Sequence, residues 1–231
     1  MHDFGPFAYL DLHKTGSSYI SKFLSECSTC DEIYFKKHHW VTDNFHADKF
    51  YFISIRRPID MYSSLYRFGK DGKGSVFNQL KRSCNLNAYD SFESFLTFFL
   101  DSKNADFLGY GYRQDIAKEM GFMSFRFLKL SLHYPMQKIN QTLQSGEKLR
   151  GLEQRFITKL EIKNEELNHG LRVLSENILP QYFNQVSVDK FLLTSPKINA
   201  SKRPPESIDL NISNKIIGLL EEKESLLFSR Y

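Results

Sequence analysis

Cysteine is scarce in this sequence, with only Cys27, Cys30 and Cys84 among 231 residues. An odd and low number does not suit a disulfide framework. Cys27 and Cys30 form a C-x-x-C, but a zinc site needs two further ligands at suitable spacing. We therefore interpret both as small, semi-buried side chains at a helix end, with a redox pair as the alternative, and we predict no metal site.

Long hydrophobic runs are also missing. The longest apolar-rich run, Phe92–Leu100, contains Glu93 and falls well short of the roughly twenty residues that cross a bilayer. The first residues show no basic start followed by an apolar stretch, so we expect no signal peptide. These absences predict a soluble chain with no membrane span.

What the chain does have is an ordinary globular composition, 41% hydrophobic and 25% charged, with 21 Phe and 12 Tyr. Its length predicts a single domain over 1–231, with a helical, aromatic-rich insertion at about 70–150. The net charge of +4 suits an anionic ligand but is too small to identify one, and we expect no nucleic-acid partner.

Short apolar runs alternate with amphipathic segments along the chain. Runs that predict strands cover 7–12, 33–35, 50–55 and 156–160. Helical periodicity covers 19–26, 59–68, 91–132, 164–176 and 213–228. This alternation predicts an α/β fold with a central parallel sheet of about four to five strands flanked by helices.

The polar segment 13–18 separates the first of these strands from a helix and contains Lys14, Gly16, Ser17 and Ser18. A helix N-terminus preceded by small residues offers free N–H groups and a positive dipole end to an anion. A plain capped helix with a surface lysine explains the segment equally well. A Walker A loop does not, because no glycine precedes Lys14 at the required spacing, and this disfavours a kinase.

A second candidate anion site follows the strand at 50–55, which ends at Arg56-Arg57-Pro58. Arg56 leaves the carboxyl end of a buried strand, where α/β sheets bind ligands. Ser64 lies two helical turns further on, and a guanidinium suits phosphate. Taken alone, the two arginines also fit a solvated basic strand end.

Residues 9–18, Y-L-D-L-H-K-T-G-S-S, resemble the 5′-phosphosulfate loop of carbohydrate-type sulfotransferases. These enzymes use 3′-phosphoadenosine-5′-phosphosulfate (PAPS) on a P-loop-like three-layer fold, and their loop reads P-K-T-G-[GS]-[TS]. The chain departs from it at His13. The resemblance implies that Lys14 stabilises the leaving phosphate and that Thr15, Gly16, Ser17 and Ser18 bind the 5′-phosphosulfate.

The family's second motif, R-[DN]-P followed by a serine, is similar to 56–64, with Arg57 as the departure. The resemblance assigns Arg56 and Ser64 to the 3′-phosphate of PAPS. The segment 199–203, N-A-S-K-R, resembles a loop that closes over the cofactor, which implies nucleotide contacts for Lys202 and Arg203.

A general base is needed to deprotonate the acceptor hydroxyl, and histidine has a suitable intrinsic pKa. Residues 39–45, H-W-V-T-D-N-F, resemble the histidine segment of heparan sulfate 2-O-sulfotransferases, in which a phenylalanine follows the base by six positions. Phe45 fits His39 in this respect. His38 is a close competitor, because a shift of one residue exchanges the two.

The resemblance thus implies a sulfotransferase that moves a sulfuryl group from PAPS, leaving 3′-phosphoadenosine-5′-phosphate (PAP), to an acceptor hydroxyl, expected on a carbohydrate. We expect a cytoplasmic enzyme of the bacterial type, with a truncated luminal domain as the alternative. Two other functions stay open: a P-loop-type nucleotide or small-molecule kinase, and a non-catalytic protein that binds nucleotides or sulfated glycans.

Overall fold

The computed structural model describes residues 1–42, 45–194 and 212–231. These residues divide into two compact units, each assembled from three segments of the chain. The first unit comprises 1–56, 129–135 and 155–194, and the second comprises 57–128, 136–154 and 212–231.

The sheet lies in the first unit and has five strands in the order β3-β1-β2-β4-β5. They are β1 (His2–Asp3), β2 (Phe7–Leu10), β3 (Tyr34–Phe35), β4 (Phe50–Ile55) and β5 (Thr158–Lys163). The pairs β2/β4 and β4/β5 are parallel, whereas β1 is antiparallel to both β2 and β3. The α/β class and the strand number are confirmed, but the sheet is mixed and the prediction of a parallel sheet was wrong.

A tight turn explains the antiparallel half of the sheet. Only three residues separate β1 from β2, so the two strands can pair only as a hairpin. Gly5 adopts φ 86° in this turn, and its N–H donates to Asp3 Oδ1 at 2.9 Å. A strand of two residues carries no periodic signal, so sequence patterns do not predict it.

Twelve α-helices are described. In chain order they are α1 (Ser17–Cys27), α2 (Pro58–Lys70), α3 (Ser75–Arg82), α4 (Phe92–Leu100), α5 (Ala105–Leu108), α6 (Gln114–Glu119), α7 (Phe122–Ser131), α8 (Pro135–Ser145), α9 (Leu167–Val173), α10 (Gln185–Thr194), α11 (Asn214–Lys223) and α12 (Ser225–Phe228). The prediction of a largely helical middle segment is confirmed. None of the helices described is long and apolar enough to cross a membrane.

Two predicted boundaries need correction. The strand expected at 156–160 begins at Thr158, because Phe156 pairs instead with Leu132 in an isolated antiparallel bridge. The single helix expected at 164–176 is a 3₁₀ turn, then α9, then a π-helical turn at Leu174–Ile178. Both changes lie beside β5, where tertiary pairing overrides the local pattern.

The core of the first unit fills the space between the sheet and the helices α1, α9 and α10. Phe7 and Phe52 from the sheet are fully buried against Phe23 of α1 and Leu171 of α9. Cys27 is buried at the end of α1 and Cys30 is partly buried, both as free thiols. The two elements that flank the loop at residues 11–16, β2 and α1, are thus both fixed by close packing in this core.

The second unit is rich in stacked aromatic rings. Tyr66 of α2 stacks on Tyr89 with ring centroids 5.9 Å apart, and Phe95 contacts Phe99 along α4 at 4.5 Å. All four side chains are buried. A large part of the aromatic content of the chain therefore serves core packing, where each ring buries a large apolar area.

Glu224 is a fully buried carboxylate in the second unit. It accepts hydrogen bonds from the Tyr62 hydroxyl at 2.6 Å and from the N–H groups of Met123 and Ser124 at 3.1 and 2.6 Å. Burial raises the pKa of Glu224 above its ordinary value. The carboxylate thus caps the first turn of α7 from a distant part of the sequence.

Candidate functional site

Thr15 anchors the loop between β2 and α1, residues 11–16, to the sheet. The Thr15 side chain is fully buried; its hydroxyl donates to the carbonyl of Leu12 at 2.9 Å and lies 2.6 Å from Ser54 Oγ on β4. Ser54 in turn lies 2.6 Å from the Tyr9 hydroxyl on β2. This side chain, predicted to bind cofactor, is engaged in holding the loop against two parallel strands.

Gly16 begins α1 with a backbone that other residues rarely adopt, at φ 90°. Its carbonyl accepts the N–H groups of Tyr19 and Ile20, which starts the helix. A Cβ at this position would lie 2.7 Å from Leu167 Cδ1 and 2.9 Å from Asn164 Nδ2. Glycine is therefore required here both by the backbone conformation and by the close approach of α9.

The first turn of α1 faces outward at Ser17 and Ser18, which are partly buried and exposed, respectively. Helix geometry leaves the first N–H groups of α1 without partners inside the helix. The turn contains no acidic residue, and no side chain caps it at Gly16. The loop and this turn together carry the partial positive charge that anions favour.

Two cations accompany the helix terminus. Arg56 follows β4, and its Nη1 donates to the Lys14 carbonyl oxygen at 3.3 Å. Burial, together with the positive charges of Arg56 and Lys37, lowers the pKa of Lys14 to about 8. The Nε atom of Arg56 is buried and has no hydrogen-bond partner among the described residues. An anion at this position would satisfy that donor and offset the mutual repulsion of the cations.

His38 is held beside the loop by Asp11, the buried residue that follows β2. Its N–H donates to Asp11 Oδ1 at 2.7 Å, and its Nδ1 lies 2.8 Å from the Asp11 carbonyl oxygen and 3.2 Å from Oδ2. The ring stacks on His13 with centroids 3.5 Å apart. With Nδ1 donating to Asp11, the basic nitrogen of a neutral His38 is Nε2.

His39 has different surroundings. Its Nδ1 lies 2.7 Å from the Trp40 carbonyl oxygen, and its ring stacks on the Trp40 indole at 4.8 Å. Lys129 Nζ sits 3.9 Å from the centroid of the same indole. Burial is the main cause that lowers the pKa of His39, and the charges of Lys36 and Lys129 add to it. His39 therefore belongs to a stacked group rather than to a carboxylate–imidazole pair.

Several residues near the loop were not predicted from the sequence. Asp11 and Ser54 lie within strand-like runs, where nothing local marks them as partners of His38 and Thr15. Elsewhere in the first unit, His133 is partly buried; its Nε2 lies 3.0 Å from the Thr42 carbonyl oxygen, and its ring stacks on Phe45 at 4.3 Å. Such contacts join segments far apart in the chain, which periodicity cannot detect.

The remaining predicted site residues lie elsewhere. Ser64 is on α2 in the second unit and is partly buried. Lys202 and Arg203 fall outside the described residues. The first unit thus brings together Lys14, Thr15, Gly16, Ser17, Ser18, Arg56 and His38, with His39 next to His38 in the chain.

Comparison with protein-family models, with curated proteins and with solved structures finds no match to the chain. The residues around the loop combine a helix N-terminus and two cations, at the carboxyl ends of β2 and β4, with an imidazole held by Asp11.

Proposed function

We propose that the chain is a sulfotransferase that moves a sulfuryl group from PAPS to a hydroxyl of a carbohydrate acceptor. The single observation that carries the proposal is the pairing of Lys14 and Arg56 at the N-terminus of α1, with the buried Arg56 Nε lacking a partner among the described residues. A phosphate-bearing ligand fits these groups, since it supplies an acceptor for Arg56 Nε and negative charge beside two cations.

Transfer of a sulfuryl group builds negative charge on the oxygen that leaves with the nucleotide. Lys14 is the group proposed to stabilise it, with the amides of Gly16, Ser17 and Ser18 around the 5′-phosphosulfate. Arg56 is proposed for the 3′-phosphate. The roles of Ser64, Lys202 and Arg203 stay predictions from the sequence resemblance.

For the general base we propose His38 rather than His39. A base must be oriented by a second group and must be neutral before it accepts a proton. Asp11 supports the first condition by holding Nδ1 of His38. His38 also stacks on His13, the residue that precedes Lys14 in the chain, and this contact supports the choice.

Calorimetry with PAP, AMP and ATP tests the nucleotide specificity of the protein. We expect PAP to bind at least about tenfold more tightly than AMP, because only PAP carries the 3′-phosphate, and a tenfold ratio corresponds to about 1.4 kcal/mol. Lys14→Ala should weaken PAP binding. The matched control is Lys190→Ala, which removes an exposed lysine of α10 in the same unit.

Transfer of labelled sulfate from PAPS to a panel of glycans completes the test. Turnover of ATP without a response to PAP would instead identify a kinase. Tight PAP binding without transfer to any acceptor would support the non-catalytic alternative. Equal loss of PAP binding in Lys14→Ala and Lys190→Ala would contradict the role given to the loop.

A further inference from the structure

A continuous chain of hydrogen bonds joins Ser21, His2 and Glu32 in the first unit. None of these residues belongs to the loop between β2 and α1. Ser21 Oγ lies 2.9 Å from His2 Nε2, and His2 Nδ1 lies 2.6 Å from Glu32 Oε1. All three residues line one open cavity of about 530 Å³. The order hydroxyl, imidazole, carboxylate is the arrangement by which proteins activate a serine.

The fold fixes the imidazole firmly at the centre of this group. His2 belongs to β1, which pairs with β3 through the register of His2 with Phe35. The ring of His2 stacks on Phe35 at 4.5 Å and on Tyr9 at 5.7 Å between centroids. An imidazole packed between two aromatic rings keeps both nitrogens directed at their partners, as a preorganised base requires.

The proton positions follow from these contacts. Burial is the main cause that lowers the pKa of His2, which favours the neutral ring at pH 7. The carboxylate of Glu32 accepts the proton of Nδ1, so the lone pair of Nε2 faces Ser21. The Ser21 hydroxyl can donate its single proton to one of two acceptors, His2 Nε2 at 2.9 Å or the carbonyl oxygen of Ser17 at 2.7 Å.

We propose that Ser21, His2 and Glu32 form a second catalytic site, which hydrolyses small carboxylic esters. The substrate class follows from the nucleophile and from a cavity that suits a small molecule. The cavity lining contains none of the residues Lys14, Gly16, Ser17, Ser18, Arg56 or His38. The inference is therefore independent of the proposed sulfotransferase function.

In the first step, Ser21 Oγ bonds to the ester carbonyl carbon while its proton passes to His2 Nε2. The bond from that carbon to the alcohol oxygen then breaks, and Nε2 returns the proton to the departing alkoxide. Water attacks the acyl-serine in the second step, with His2 again taking and returning one proton. The products are the alcohol, the carboxylic acid and unmodified Ser21.

Negative charge develops on the carbonyl oxygen in both steps and needs a positive group nearby. Lys22 lines the same cavity, and its ammonium is the group assigned to this role. Its ammonium lies 3.6 Å from Glu26 in a half-exposed pair, which is too weak to hold it away from a bound ester.

Hydrolysis of p-nitrophenyl acetate, together with labelling by a fluorophosphonate, tests the site. We expect labelling at Ser21, shown by peptide mass spectrometry, and loss of both signals in Ser21→Ala. Glu32→Gln should slow hydrolysis at least about tenfold, because a general base of this kind contributes about 100-fold or more and depends on its carboxylate. The Glu32 side chain is 37% exposed, so this variant probes the site with little risk to folding.

Ser25→Ala provides the matched control. Ser25 lines the same cavity one helical turn later, and its hydroxyl donates to the Lys22 carbonyl, but its described contacts include no imidazole. Hydrolysis and labelling should persist in this variant. The proposal is overturned by equal rates in Ser21→Ala and wild type, by labelling of Ser25, or by full activity of Glu32→Gln. PAP binding should be unchanged in Ser21→Ala. The loss of ester hydrolysis in this variant can therefore be distinguished from a failure of the proposed sulfotransferase function.

Discussion

His38 contacts Asp11 through both its backbone and its ring: the N–H donates to Asp11 Oδ1 at 2.7 Å, and Nδ1 lies 2.8 Å from the Asp11 carbonyl oxygen. This double contact holds a residue with φ 54° in place beside the loop between β2 and α1. The adjacent His39 makes no described contact with a carboxylate. The two neighbouring histidines therefore differ in the property that a general base requires.

Replacing each histidine separately tests which one is the base. We expect His38→Ala to lower kcat for sulfate transfer by about 100-fold or more, which is the usual contribution of a general base. His39→Ala should retain activity within a few-fold, since its ring contacts Trp40 rather than an orienting carboxylate. Initial rates with PAPS and the best acceptor give the comparison, and the reverse order of the two losses would assign the role to His39.

Asp11→Asn refines the same prediction. The change keeps the volume of the side chain but removes the charge that faces His38, and we expect kcat to fall with PAP affinity retained. Asp11 Oδ1 also accepts the Met1 amino group at 2.7 Å, so thermal unfolding has to be measured alongside. A variant that is folded, binds PAP and transfers sulfate at the wild-type rate would show that Asp11 has no positioning role.

We expect Lys14 to make the proposed binding of PAP depend on pH. Its pKa near 8 means that part of the population is uncharged in the free protein at pH 8.5. A bound phosphate favours the ammonium, so binding at that pH should take up protons, and PAP affinity should fall as the pH rises from 7 to 9. Calorimetry in two buffers of different ionisation enthalpy measures this uptake.

Lys14→Arg is the control for this effect, because a guanidinium stays charged throughout that pH range. Its PAP affinity should be nearly constant, with little proton uptake, and equal uptake in both proteins would exclude Lys14 as the source.

Lys14 also makes the free energy of unfolding rise with pH between about 8 and 10.5. In that window the unfolded chain holds the proton and the folded chain does not.

Thr15 stabilises the loop through its hydroxyl, which bonds the Leu12 carbonyl and Ser54. Thr15→Val keeps the shape and removes these bonds, leaving buried partners unsatisfied, and should cost about 1–3 kcal/mol of unfolding free energy. Thr15→Ser keeps the hydroxyl and should cost clearly less. Urea denaturation of the three proteins gives the values, and equal stability of the Val and Ser variants would contradict the anchoring role.

Tyr62 donates to the buried carboxylate of Glu224, so Tyr62→Phe should lower the unfolding free energy by about 1.5–3 kcal/mol, the range for a hydrogen bond to a charged group. Tyr89→Phe is the matched control in the same unit. The Tyr89 hydroxyl is buried without a partner among the described residues, and its removal should leave stability unchanged or slightly higher. Similar losses in both variants would show that the loss of the hydroxyl's volume, rather than of the hydrogen bond to Glu224, is responsible.

Local patterns predicted the elements that position the loop. The apolar run at Phe50–Ile55 has the same first and last residues as β4. Pro58 begins α2, because the fixed φ of proline suits the first position of a helix. The strand, loop and helix around Gly16 also follow from sequence alone. In these places the neighbours along the chain determine the structure.

Contacts between distant segments were not predicted, because they depend on residues that are not neighbours along the chain. Asp11 meets His38 across 27 positions, and Glu224 meets Ser124 across 100. The antiparallel half of the sheet depends on β1, whose two residues are too few to show alternation. Nothing in the local sequence of these residues distinguishes them from ordinary strand or helix positions.

Because each unit is built from three separated segments, neither can be excised as one continuous piece of chain. A proteolytic fragment that ends at residue 56 would retain Lys14, Arg56 and both candidate histidines. It would lack β5 and α9, and with them the Leu167 and Asn164 side chains that close over Gly16. Part of the support of this loop is therefore encoded about 150 positions after the loop itself, and a fragment that carries the motif lacks these contacts.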